Sequence, residues 1–187
     1  MDEDGRCDAD IRSRIGKGNK IFFDQMRRLL TCSNLSTGIR IRNLKTYIWS
    51  VILYVCETWS GNREMMKKLE AAMWFIRRLM RVPWVARRTN QEVLLMAGTN
   101  RELMSIVRKR QLRYLEHVLR GEGLERDCLK ELIEGKRTRG RQRKKYTDGI
   151  KEMVGREKLE EVVELAGNRR VWHYTVAIVD RHGTAVQ

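Results

Sequence analysis

A single proline, Pro83, stands among 187 residues, and this scarcity does most to limit what the chain can become. Proline breaks helices by removing a donor and clashing with the preceding turn. The chain is instead rich in Leu, Arg, Glu, Met and Lys, which are good helix formers. Apolar residues recur at three- and four-residue spacing, and strand-type alternation is weak throughout. The expected class is mainly α: a helical bundle, followed by a basic arm and short C-terminal helices. The length allows one ordinary domain or two small ones.

The spacing predicts a helix over 9–31, with Ile11, Ile15, Phe22 or Phe23, Met26 and Leu29 or Leu30 on its apolar stripe and Gly16 and Gly18 weakening its first turns. A second helix starts after Ser33 and Asn34 or at Ser36 and runs to about Trp59. Its stretch from Tyr47 to Cys56 is apolar nearly all round, as in a helix surrounded by others. That stretch is about half the ~20 residues a membrane span requires, and no membrane partner is expected. A third helix runs from Arg63 to about Val82 and is stopped by Pro83. Thr89 and Glu92 fit a capping box before a short helix to Ala97, which Gly98 ends. Asn100 caps a helix from Arg101 to about Arg120, and 124–133 form another. Two last helices lie near 156–166 and 168–181, separated by Gly167.

From Gly135 to Lys145, seven of eleven residues are Lys or Arg and none is acidic. A folded core cannot absorb that much like charge, so the segment is an exposed loop or arm suited to a polyanion. Residues 1–10 hold five acids against Arg6, a formal −4 within the chain's +15, so 11–187 carry +19. With pI near 10.1, such a chain is expected to bind RNA or DNA by its phosphates, with weak sequence preference. The contact residues are expected to be Lys136, Arg137, Arg139, Arg141, Arg143, Lys144 and Lys145 in the arm, with Arg110 and Arg113 next, three apart on one helix face. The plainer readings of the arm are a solvated tail or a nuclear-import signal.

Other features carry less. The helices around Gly98 have the order of a helix-turn-helix, but two helices joined by a glycine turn are common in bundles. Trp49, Trp59, Trp74, Trp84 and Trp172 sit at helical spacing among Leu and Met, where tryptophan is core. Trp84, following Pro83, is the first candidate for stacking on a base. The four cysteines make no CxxC pair, and the three histidines have no ligand spacing to them. Reduced intracellular thiols are expected, with no metal and no cofactor. No paired carboxylates, phosphate loop or nucleophile–base arrangement appears, so no catalytic residue is expected.

Four blocks together resemble a known family. They are Ile11 to Ile15 through Leu30; Leu44 to Trp59; Arg77 to Trp84 with Thr89–Asn90 and Arg110 to Arg120; and Gly135 to Ile150. In this order they resemble the C-terminal part of the endonuclease–reverse transcriptases of LINE-like non-LTR retrotransposons. The second block is similar to the family's LYGxETW and the fourth to GxRxRGRPxxxWxDxI. The chain departs from the pattern at Val55 (family Gly), Tyr114 and Glu116 (Trp and Gly), Gln142 (Pro) and Tyr146 (Trp).

Residues 1–10 are expected to be an acidic, disordered N-terminus; with the resemblance, the rest divides into a thumb-like helical region at 11–85, a helical post-thumb region at 86–134 with the basic helix, a basic arm at 135–150 and C-terminal helices at 151–187. The family's endonuclease, fingers and metal-binding palm would precede residue 1. The implied chain therefore holds nucleic acid without polymerising or cutting it; an intracellular location, nuclear rather than cytoplasmic, is expected. The rival readings are an independent helical interaction protein and a translated remnant of the element with no selected role.

Overall fold

The computed structural model describes residues 7–60, 67–69, 74–130, 132 and 145–182. The molecule is mainly helical, and no strand occurs among the described residues. No helix among them is long and apolar enough to cross a membrane. The chain divides into two compact units, 1–54 with 61–104, and 55–60 with 105–187.

The first unit opens with α1 (Asp8–Ile21), a π-helical turn (Phe22–Met26) and α2 (Arg27–Leu30). These form the helix expected over 9–31. Its inner side carries Ile11, Phe22 and Leu30, all essentially inaccessible. Gly18 is buried there for a steric reason. A Cβ at this position would lie 2.6 Å from Ile52 Cγ1 and 3.5 Å from Ile48 Cγ2. The glycine that weakens the helix locally lets a second helix approach it.

That partner is α3 (Thr37–Asn43), continued by a π-helical turn (Leu44–Trp49) and α4 (Ser50–Ile52). Ser36 caps it, its hydroxyl accepting the Ile39 N–H at 3.4 Å. Leu44, Ile48, Trp49 and Ile52 are buried, and burying each such side chain contributes roughly 1.5–3 kcal/mol. The expected run to Trp59 ends early: the helix stops at Ile52, and Val55 then takes a left-handed backbone at φ 62° before a 3-10 turn. Next come α5 (Trp74–Leu79), a 3-10 turn (Trp84–Ala86) beyond Pro83, and α6 (Asn90–Ala97). The capping box at α6 is present. The Thr89 hydroxyl accepts the Glu92 N–H at 3.3 Å, and the Glu92 carboxylate accepts the Thr89 N–H at 2.9 Å.

The second unit contains a 3-10 turn (Cys56–Thr58) and α7 (Leu103–Arg120) from its third residue onward. It continues with α8 (Leu124–Leu129), α9 (Tyr146–Val154), α10 (Leu159–Gly167) and α11 (Arg169–His182). Leu112 and Leu115 of α7 pack with Ile150, Val154, Val162, Ala166, Trp172, Val176 and Val179 in one core. Asn168 starts α11, its side-chain oxygen accepting the N–H groups of Arg170 and Val171 at 3.2 and 3.3 Å. Helix α9 is a difference from the sequence reading, which continues the basic arm to 150. Its start is fixed by the Asp148 carboxylate, which accepts the Lys145 N–H at 2.9 Å. Gly155 at φ 71° ends it, and Ile150 and Val154 anchor it in the core.

Candidate nucleic-acid interface

Six of the expected contact residues, Lys136, Arg137, Arg139, Arg141, Arg143 and Lys144, lie outside the described residues. Lys145 is half-buried at the start of α9. Arg110 and Arg113 both project from α7, and the structure separates their surroundings.

Arg110 turns to the 55–60 segment. Its guanidinium stands 3.6 Å from the Glu57 carboxylate and 3.9 Å from Cys56 Sγ. The next residue, Gln111, is buried and donates to the carbonyls of Trp59 at 2.9 Å and Cys56 at 3.4 Å. Tyr146 closes the group by donating its hydroxyl to the Gln111 carbonyl at 3.3 Å. Burial, with the charge of Glu57 added, pushes the Cys56 thiol up to about 11 against the partial opposition of Arg110. The thiol is therefore protonated at neutral pH and a poor nucleophile. Arg110 and Gln111 thus fasten a segment that has no regular structure beyond one 3-10 turn.

Arg113 is exposed and faces the Asp180 side. There the Ser105 hydroxyl donates to Asp180, and Lys109 Nζ lies 3.2 Å from its other oxygen. The Ser105 hydrogen bond holds the Asp180 carboxyl below its ordinary value. Burial opposes this, while the Lys109 contact and the charge of Arg113 add to it. The shared helix face expected for Arg110 and Arg113 therefore serves two different carboxylates.

A second basic feature lies within the first unit. The π-helical turn and α2, the helix α5 and the turn after Pro83 enclose a cleft of about 720 Å³. Four arginines line it, Arg27, Arg77, Arg78 and Arg81, and no carboxylate does so among the described residues. Its apolar lining is aromatic: Phe22, Phe23, Trp74 and Trp84. The wide turn at 22–26 turns Phe22 inward, fully buried, and leaves Phe23 41% exposed. Phe23 stacks on Trp74 with centroids 5.8 Å apart, and Trp74 on Phe75 at 4.4 Å.

The arginines are held in different ways. Arg77 is buried, donates to the Arg88 carbonyl at 2.5 Å and lies 5.2 Å over the Trp84 ring. Arg81 donates to the Thr31 carbonyl at 2.6 Å from a left-handed backbone at φ 54°. Arg78 lies 5.7 Å from the Phe23 ring and 5.8 Å from that of Trp74. Arg27 and Arg78 are exposed and have no ion-pair partner among the described residues.

The tryptophans divide sharply. Trp49, Trp59 and Trp172 are at most 3% exposed and belong to the interior, whereas Trp84 is 82% exposed. The sequence singles out Trp84 but misses Arg27, Arg78 and Arg81 as its neighbours. The available signal was the alternation of arginines with aromatics from Trp74 to Trp84. The contribution of Arg27, some fifty residues earlier, had no local signal. No group of three or more His, Cys, Asp or Glu that could hold a metal occurs among the described residues.

No protein-family model matches the chain, and neither a curated protein nor a solved structure matches it.

Proposed function

We propose that the chain is a nucleic-acid-binding protein of the kind its sequence resembles, the thumb and post-thumb part of a LINE-like non-LTR retrotransposon reverse transcriptase. It holds RNA or DNA by the phosphate backbone, acts in the nucleus, and carries out no polymerisation or cleavage itself. The observation that carries this reading is the charge, +15 overall with seven cations and no acid across 135–145. Each Lys or Arg that meets a phosphate releases condensed counterions, which drives binding. The exposed Arg12, Lys17, Lys20, Arg27 and Arg28 of the first helix extend the basic surface.

Contacts within and between the blocks support the resemblance. Arg77 and Asn90, from one quoted block, lie 3.5 Å apart, and Arg77 lies over Trp84 of the same block. Glu57 and Trp59 of the LYGxETW-like block meet Arg110 and Gln111 of the next. Val55, where the family has glycine, holds the left-handed conformation that glycine adopts without steric cost.

The test is binding of the purified chain to a labelled RNA hairpin, a single strand and duplex DNA across a salt series. The comparison protein carries Arg137→Ala, Arg139→Ala, Arg141→Ala and Arg143→Ala. Salt-dependent binding that weakens sharply in the variant is expected. A flat salt response, or equal binding by both proteins, sinks the reading and leaves the arm a solvated tail. A second reading, an independent helical interaction protein, is favoured by the large exposed apolar side chains Val85 (89%) and Leu95 (74%). It predicts a protein complex that nucleases leave intact.

A further inference from the structure

The geometry points to the cleft between the π-helical turn at Phe22–Met26 and the Pro83–Trp84 turn as a seat for one unpaired nucleotide of a single strand, its base on Trp84 and its phosphate between Arg27 and Arg78. This inference rests on the nucleic-acid reading above and specifies where an unpaired strand engages.

Four features of the cleft combine to favour that ligand. The volume, about 720 Å³, is that of a small-molecule site, room enough for a nucleotide. The lining is all cationic or aromatic apart from Thr31, Val82 and Pro83, which suits a ligand with a flat apolar face and a negative group. Stacking on aromatic side chains with cation–π support from arginine is how single strands are held without sequence preference. Trp84 is mostly solvated while Arg77 lies over its ring. Arg77 is itself buried and fixed by the Arg88 carbonyl and Asn90, so the ring's cationic partner is in place before a ligand arrives. Arg27 and Arg78 keep their guanidinium groups out of any ion pair among the described residues.

A duplex does not fit this chemistry. Its base faces are covered by neighbouring pairs, and exposing one requires unstacking at a cost of a few kcal/mol. A duplex can use the arginines but not the indole. An acidic or phosphorylated peptide can also use the arginines, but gives no reason for an exposed tryptophan with an arginine over its ring.

The experiment uses the full chain with three fluorescently labelled ligands: a short oligothymidylate, the same strand with abasic sites in place of every base, and duplex DNA. Variants are Trp84→Ala, Trp84→Phe and the pair Arg27→Gln with Arg78→Gln, each checked for parent-like helicity by circular dichroism. Because Trp84 is exposed, its truncation leaves no core cavity. Trp84→Ala is expected to weaken oligothymidylate binding about tenfold or more, to leave the abasic strand and duplex nearly unchanged, and to be largely rescued by Trp84→Phe. The arginine pair is expected to weaken all three ligands.

If the parent binds these ligands but Trp84→Ala leaves oligothymidylate affinity unaltered, the nucleotide seat is overturned and the broader nucleic-acid reading stands. An equal loss on all three ligands also overturns it, by showing that Trp84 acts only through the fold or Arg77. Failure of the parent to bind any of them overturns both.

Discussion

Val55 is a β-branched residue at φ 62°, where its Cβ crowds the carbonyl that follows and costs about 1–2 kcal/mol. Glycine removes that crowding but loses more backbone freedom on folding, about 0.5–1 kcal/mol. Val55→Gly is therefore expected to stabilise the protein by up to about 1 kcal/mol, read as a higher midpoint in urea or thermal unfolding. Gly18 is the opposite case. Gly18→Ala gains up to about 1 kcal/mol in helix propensity, but its Cβ would lie 2.6 Å from a buried isoleucine. Overpacking of this kind costs about 1–3 kcal/mol, so a net loss of stability is expected in the same unfolding assay. Neither sign can be read from one sequence by propensity alone. Glycine in a helix reads as weakness and valine in an apolar run reads as core, and only the tertiary placement reverses both.

At the scale of elements, Asp180 on α11 joins Ser105 and Lys109 on α7. Its carboxyl is held below the ordinary value of 3.8, chiefly by the Ser105 hydrogen bond. A depressed folded pKa contributes stability that is present above 3.8 and is lost as pH falls below it. Asp180→Asn is expected to lower stability at neutral pH and to converge with the parent in acid, as measured by urea midpoints across pH. A constant difference at all pH values would show that the carboxylate's charge is not what matters.

Helix ends with a cap or stop residue of their own were legible, whereas those expected at Trp59 and Arg101 were not, the helices ending at Ile52 and beginning at Leu103. Ser36, the Thr89–Glu92 pair, Gly98 and Pro83 all carry local chemistry that fixes a boundary. Helix α9 was missed because the charge of 135–145 dominates its neighbourhood, although Asp148, Ile150, Val154 and Gly155 spell a cap, a stripe and a stop. The π-helical turns had no such signature. They coincide with packed residues, here Phe22 and Leu44, Ile48 and Trp49, in turns that the local sequence leaves neutral.

For the whole molecule, the mainly helical class followed from one proline and the spacing of apolar residues, because both act along the entire chain. The cleft did not, since its walls come from segments some fifty residues apart. The basic arm acts at this same scale, through total charge. Each single-strand phosphate contact steepens the salt dependence of log K by about 0.7. If all four arginines changed to alanine make such contacts, the slope should flatten by about 3, a quantity read directly from the salt series. A loss of affinity at constant slope would indicate damage to the fold rather than lost phosphate contacts.

The Cys56 and Trp59 carbonyls receive their hydrogen bonds from Gln111, more than fifty residues later in the chain. During synthesis at about 5–20 residues per second, that donor arrives seconds after its acceptors. The short 55–60 segment therefore waits without this donor while residues 61–110 are made. In a nascent chain stalled before Gln111 that donor is absent, and Cys56 is expected to remain open to thiol reagents. Release past α11 should protect it.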